Sequence, residues 1–138
     1  GGLDDDEETL AVAERYDPST GVWQQLADMP EPRFGFAAVA VGGRIYALGG
    51  ANEEGDATAS VFRYDPGSDA WAVMANMRTA RKRFAAVTQD ELIYALGGWD
   101  ADDNDLASVE RCSPAADVWE GGVASMASVR VLHAAALL

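Results

Sequence analysis

The sequence predicts an all-β protein, a segment of a β-propeller built from four-stranded antiparallel sheets. Two observations lead there: short apolar runs separated by turn residues, and the return of the whole pattern every 48 residues. Gly97-Gly98 repeats Gly49-Gly50 and then Gly1-Gly2, and residues 93–96 repeat residues 45–48. An internal repeat of about 40 to 50 residues with four strands per unit is typical of propeller blades.

Residues 84–119 contain one complete blade. Apolar runs at 84–87 and 92–96 flank Gln89-Asp90-Glu91, which predicts two antiparallel strands joined by a tight hairpin. A third run at 106–112 is followed by Ser113-Pro114 and then by Trp119, which marks a fourth strand.

The same pattern places strands along the rest of the chain. They are predicted at 10–16 and 22–26, then at 34–41, 44–48, 60–64 and 71–73, with a loop at 1–9 and a hairpin at Gly42-Gly43. The chain is thus divided into a partial blade with strands three and four (1–32), two full blades (33–80 and 81–127) and the first strand of a further blade (128–138). This is about 2.75 blades.

The chain of 138 residues is too short for a closed ring. A propeller needs roughly 4 to 8 blades, and four blades of this length would take about 192 residues. We therefore expect an incomplete ring that is completed by missing blades of a longer propeller or by another chain.

The charge balance excludes some partners. With 10 basic and 23 acidic residues the net charge is −13, which argues against nucleic acid and against anionic membranes. No apolar leader or membrane span is visible, and the single cysteine, Cys112, allows no intrachain disulfide. A cytoplasmic or nuclear location is expected.

Several motifs resemble a kelch repeat: the double glycine after Ile-Tyr-Ala-Leu, the Tyr-Asp-Pro turns at 16–18 and 64–66, and the tryptophan that follows each turn. Residues 106–119 are similar to the blades of kelch-like proteins, which carry BTB and BACK domains, although Cys112-Ser113 departs from the Tyr-Asp pattern. The resemblance implies a kelch propeller that acts as an interaction scaffold. The substrate-adaptor role found in that family is not supported by any BTB or BACK segment in these residues.

Three acidic loops lie one period apart and are expected to line one face, because the loop between strands two and three points to the same side as the crossing between blades. Arg33, Arg81 and Arg130 enter that face from the crossings. This surface is predicted to dock another protein with a basic surface; the alternatives are solvated loop charge and arginines paired with the loops. The acidic residues are 4–8, then Glu53, Glu54 and Asp56, then Asp100, Asp102, Asp103 and Asp105.

Other conspicuous residues are expected to be structural. Tyrosine and tryptophan recur in the blades, which favours packing between blades over peptide binding. His133, the sole histidine, cannot form a two-histidine metal site, and a calcium site at 100–105 lacks the glycine and distal glutamate of an EF-hand loop. No metal or cofactor is predicted.

The function predicted from these features is a non-catalytic protein-protein interaction module. Two alternatives remain open. One is a fragment of a kelch-propeller enzyme, similar to galactose oxidase or the sialic acid epimerases, and the other is a structural subunit of a large assembly.

Overall fold

The structure, a computed structural model, describes residues 1–136, which contain β-strands and no helix. Two short antiparallel pairs come first: β1 (Gly2–Leu3) with β2 (Thr9–Leu10), and β3 (Glu14–Asp17) with β4 (Val22–Gln25). A four-stranded meander follows, and its strands are β5 (Ala37–Val41), β6 (Arg44–Leu48), β7 (Val61–Asp65) and β8 (Ala70–Met74). A second meander contains β9 (Ala85–Gln89), β10 (Leu92–Leu96), β11 (Val109–Ser113) and β12 (Val118–Val123).

The predicted fold class is confirmed: the described residues form antiparallel four-stranded sheets that do not close into a ring. The strands predicted at 44–48 and 92–96 have the predicted bounds. The division into blades at 1–32, 33–80, 81–127 and 128–138 stays a prediction. The absence of a helix also means that residues 1–136 contain no helical segment able to cross a bilayer.

The ends of the chain differ from the prediction. Residues 9–10 pair with residues 2–3, so the segment predicted as a loop and a single strand at 10–16 instead forms β1, β2 and a shorter β3. Residues 128–136 contain no strand, and residues 137 and 138, the remainder of the strand predicted at 128–138, lie outside the described residues.

Tight hairpins join the first two strands of each meander. Gly42 and Gly43 have φ of 57° and 72°, and Asp90 and Glu91 have φ of 51° and 59°. Positive φ at both central residues is the geometry of a type I′ turn, whose twist matches that of the flanking strands.

Neighbouring sheets pack through their first strands and through tryptophans. β5 contacts β9, and the Arg83 amide donates to the Gly35 carbonyl at 2.7 Å. The Trp71 indole donates to the Ala27 carbonyl at 2.8 Å, and Trp119 donates to Ala75 at 3.1 Å. Each tryptophan thus reaches the segment that follows the preceding sheet, which agrees with the packing role expected from its recurrence.

Candidate functional site

The three acidic loops share one backbone geometry. In each loop a side-chain oxygen accepts the amide of the residue four positions later, at 2.8 to 2.9 Å. The residue three positions later has positive φ, between 59° and 86°. The accepting residues are Asp4, Asn52 and Asp100, and the residues with positive φ are Glu7, Gly55 and Asp103. The accepting Asp or Asn of each loop therefore fixes the turn, as these residues commonly do.

The loops lie at the same end of the sheets as the segments that join one sheet to the next. The amides of Gly2, Gly50 and Gly98, at the start of the loops, donate to the carbonyls of Arg33, Arg81 and Arg130 at 2.9, 2.9 and 2.8 Å. We call this end of the sheets, with the loops at 3–9, 51–57 and 99–105, the loop face.

Lys82 connects two of these loops. Its ammonium nitrogen lies 2.8 Å from the Gly55 carbonyl oxygen and 2.7 Å from a carboxylate oxygen of Asp103. The loops 51–57 and 99–105 are therefore within reach of one side chain. The sequence did not single out Lys82, because the equivalent position in the preceding blade is Phe34 and the lysine breaks the repeat.

The acidic residues of the loops fall into two groups. Asp100 is engaged within its own loop, and the hydrogen bonds that it accepts, first from Asn104, hold the pKa of its carboxyl below the usual range. Asp103 pairs with Lys82, and Asp105 accepts the Trp99 indole proton at 2.6 Å. These three carboxylates already have structural partners.

The second group is exposed and has no ion pair with any residue in the range 1–136. Its members on the two bridged loops are Glu53, Glu54, Asp56 and Asp102. Glu53 and Glu54 also line an open depression whose other walls include Glu31, Pro32 and Thr58, together with the buried Arg33 that pairs with Glu31. Three carboxylates against one paired guanidinium leave the depression acidic, which suits a cationic side chain.

The structure corrects the expectation for Arg33 and Arg81. Arg33 is 1% exposed and donates to the carbonyls of Gly49 and Ser60 at 2.9 and 3.2 Å. Arg81 is 0% exposed and donates to the Gly97 carbonyl and to Glu110, each at 2.8 Å. Their interior position does not fit contact with a partner, nor pairing with the acidic loops. Both side chains instead satisfy carbonyls that the sheet leaves free.

Arg130 is exposed, and its own carbonyl accepts the Gly98 amide. Burial and the neighbouring Arg130 charge lower the pKa of His133. Cys112 lies in the core, where burial raises the pKa of its thiol to about 11. Among residues 1–136, no group of three or more His, Cys, Asp or Glu side chains could hold a metal ion.

The sequence and fold match known proteins over parts of their length. The chain is 42% identical over 45 residues to "Kelch-like ECH-associated protein 1B" of Danio rerio. The aligned segment covers 33% of this chain and 8% of that protein. It is 46% identical over 50 residues to "Alpha-scruin" of Limulus polyphemus (36% of this chain, 5% of that protein). It is 40% identical over 53 residues to "Kelch-like protein 21" of Homo sapiens (38% and 9%). The chain thus spans less than a tenth of the length of these relatives.

Among solved structures, the "Structure of YjhT" is similar, with a TM-score of 0.76 at 16% identity over 94% of this chain and 49% of that one. At this identity the likeness concerns the fold. The family model described as "Kelch motif" matches residues 1–30, 32–78 and 80–122, which together make up most of the sequence. The chain therefore belongs to the kelch-repeat family.

Proposed function

We propose that the chain is a non-catalytic interaction module that binds a basic segment of a partner protein through its loop face. The observation that carries the proposal is the loop position two residues after Asp4, Asn52 and Asp100. This position is acidic in all three copies and exposed in all three, and its side chain makes no hydrogen bond or ion pair within residues 1–136. The residues are Asp6, Glu54 and Asp102.

The turn itself does not require acidity at this position. Only the backbone amides of Asp6 and Asp102 take part in the loop, where they donate to Asp4 and Asp100 at 3.0 and 2.9 Å. A neutral polar residue could occupy the same place. The recurring carboxylate therefore supports a role outside the chain, and a cationic partner is the chemistry that it fits.

The similar proteins support the same class of function. One relative is named as an ECH-associated protein, a name that records an association with something else. The chain spans only a small part of that relative, so the nature of its own partner is taken from the charge of the loop face and not from the relative.

The test compares two variants that each remove two negative charges. Glu54→Gln with Asp102→Asn alters the loop face, and Asp90→Asn with Glu91→Gln alters the exposed β9–β10 hairpin at the opposite end of the sheet. Peptides are first selected from a random displayed library for binding to the unmodified chain. Their affinity for each variant is then measured by fluorescence anisotropy at low and high salt.

We expect the selected peptides to be rich in lysine and arginine. The loop-face variant should weaken their binding about tenfold, the loss of roughly 1.4 kcal/mol, while the hairpin variant stays within about twofold of the unmodified chain. Raising the salt from about 0.01 M to about 1 M shortens the screening length from about 30 Å to about 3 Å and should weaken binding further. Equal losses in the two variants, or affinity independent of salt, would contradict the proposal.

A further inference from the structure

The strand pairs β3–β4, β7–β8 and β11–β12 carry an arginine at the same position of the repeat, but the residue opposite it differs. It is a glutamine in the first pair, an alanine in the second and a glutamate in the third. The opposing residues are Arg15 and Gln24, Arg63 and Ala72, and Arg111 and Glu120. Among these three arginines, the one in β7 therefore faces a side chain that cannot accept a hydrogen bond.

The guanidinium groups differ accordingly. Arg15 donates to the side-chain oxygen of Gln24 at 2.7 Å. One carboxylate oxygen of Glu120 lies 2.9 Å from Nε and 2.8 Å from Nη2 of Arg111. Arg63 has no ion pair within residues 1–136, and its Nε is buried without a hydrogen-bond partner in that range. A buried donor without an acceptor is costly, so β7 offers a place for an acceptor from outside the chain.

An unpartnered Nε alone does not distinguish Arg63, because Arg33 and Arg81 also have one. The terminal nitrogens of those two side chains, however, donate to the carbonyls of Gly49 and Gly97 inside the sheets. Arg63 instead lines a cleft that is open to solvent. A ligand can therefore reach its guanidinium.

This cleft lies between the two meanders, at the end of the sheets opposite the loop face. One wall includes Val41 and Arg44 beside Arg63, and the other includes Pro114 and Ala115 from the β11–β12 turn. Its volume is about 300 Å³, near the lower limit of the range of about 300 to 1,000 Å³ for small-molecule sites. The cleft thus combines a free guanidinium with apolar surface, at the size of a small ligand.

The other charges around the cleft favour a monoanion. Asp65 lies on the same face of β7 as Arg63, but its carboxylate pairs with Arg44 at 3.2 Å. The exposed Glu91 also lines the cleft. One free guanidinium beside one carboxylate, in a chain of net charge −13, suits a single negative charge better than the double charge of a phosphate.

We propose that the cleft binds a small organic carboxylate, with the carboxylate on the guanidinium of Arg63 and the hydrocarbon part against Val41 and Pro114. The third sheet supports this choice of ligand, because there Glu120 places a carboxylate oxygen on the equivalent arginine. The donors of a guanidinium match the geometry of a carboxylate. The cleft and the loop face are at opposite ends of the sheets, so this site is independent of the proposed function.

The probe is sodium butyrate, and the comparison ligands are its neutral isostere butyramide and inorganic phosphate, all at equal ionic strength. Binding to the ¹⁵N-labelled 138-residue chain is followed by NMR, through the Nε–H signal of Arg63 and the backbone amides of residues 41–44 and 115. Phosphate and butyrate carry different charges on oxyanions, whereas butyramide keeps the shape of butyrate without its charge. The three ligands therefore separate the contributions of charge, geometry and hydrocarbon surface.

Two variants alter the site in opposite ways. Arg63→Lys keeps the charge but removes the planar group of donors. Ala72→Glu keeps the arginine and gives it the partner that Arg111 has in the third sheet. The matched control is Val73→Glu, which adds the same charge one residue further along β8, on the opposite face of the sheet, at a side chain that is 69% exposed.

We expect the cleft signals to saturate with half-saturation at about 1 to 10 mM butyrate, as for a ligand of few atoms, and not to saturate with butyramide. Arg63→Lys and Ala72→Glu should each weaken butyrate binding at least about tenfold. Val73→Glu should leave it within about twofold. Unchanged amide spectra of β9 and β10 show that the variants are folded.

The proposal is wrong if butyrate and butyramide shift the cleft signals equally, or if butyrate does not saturate them below about 100 mM. Equal butyrate affinity of Ala72→Glu and Val73→Glu would also contradict it, because the added glutamate should then compete for Arg63. Tighter binding of phosphate than of butyrate would overturn the choice of a carboxylate.

Discussion

The buried contact between Arg81 and Glu110 offers a quantitative test of how the sheets are held to the segments that join them. Glu110 is 3% exposed, and one of its oxygens lies 2.8 Å from the Arg81 guanidinium. The same carboxylate accepts the amides of Arg78 and Thr79 at 2.7 and 3.0 Å. Glu110→Ala leaves a buried cation without its counter-charge and two amides without their acceptor.

The expected cost follows from these contacts. Removing one partner of a buried ion pair costs about 3–5 kcal/mol, and a buried donor left without an acceptor costs about 1–3 kcal/mol. The two effects overlap because water can enter the emptied space, so we expect a decrease of about 4 kcal/mol in the free energy of unfolding. Domains of this size are stable by about 5–15 kcal/mol, so the loss is large.

The matched control is Glu31→Ala. Glu31 pairs with the equivalent arginine, Arg33, at 3.2 Å, but the Glu31 side chain is 62% exposed. An exposed pair contributes about 0–1 kcal/mol. Urea unfolding followed by tryptophan fluorescence measures both variants. A cost for Glu110→Ala within about 1 kcal/mol of that for Glu31→Ala would refute the reasoning.

The preceding blade shows how the same arginine is accommodated without a glutamate. There Phe62 takes the place of Glu110, and the Arg33 guanidinium carbon lies 4.1 Å from the centre of its ring. Pro30 takes the place of Arg78 and has no amide proton to satisfy. We expect Glu110→Phe to be destabilising alone and Arg78→Pro to recover part of the loss. A coupling energy of at least about 1 kcal/mol in the double-mutant cycle is the measurement that checks this.

Two further predictions concern the core. Gly49→Ala should lower the free energy of unfolding, measured in urea, by at least about 2 kcal/mol more than Gly43→Ala. An added Cβ at Gly49 meets the Arg81 carbonyl oxygen at 2.5 Å, whereas Gly43 has open space and a similarly positive φ. Equal costs would argue against the clash. Alkylation of Cys112 by iodoacetamide should rise about tenfold per pH unit from pH 8 to 10 without levelling off, because burial places its pKa at about 11. A plateau near pH 9 would indicate an ordinary exposed thiol.

The strands were predictable where local signals agree. Residues 44–48 and 92–96 are apolar runs that end at a double glycine, and a close backbone approach at Gly49 requires that residue. The sequence did not predict the β1–β2 pair because residues 4–8 show only a run of acidic residues. The turn that pairs its flanks depends on Asp4, whose role is visible only when Asn52 and Asp100 are aligned with it.

The burial of the Arg33 and Arg81 side chains could not be predicted from local sequence signals. The carbonyl acceptors of Arg33, at Gly49 and Ser60, are 16 and 27 residues away in the sequence. Only the folded sheet brings them to one point. An arginine beside acidic loops was therefore expected at the surface, although the sheet has unsatisfied carbonyls that a guanidinium with five donors can serve.

Some acidic residues of the loops are needed for the fold, and others are free to contact a partner. Asp4, Asn52 and Asp100 close the turns, so replacing Asp100 would disturb the loop and weaken any binding for structural reasons. Asp103 pairs with Lys82, which also donates to the Gly55 carbonyl, so its removal would take away one contact between two loops. Substituting all the aspartates of the third loop together would confuse these effects with the loss of a docking charge. Glu54 and Asp102 have neither role within residues 1–136, and a loss of binding on their neutralisation therefore reports the surface charge itself.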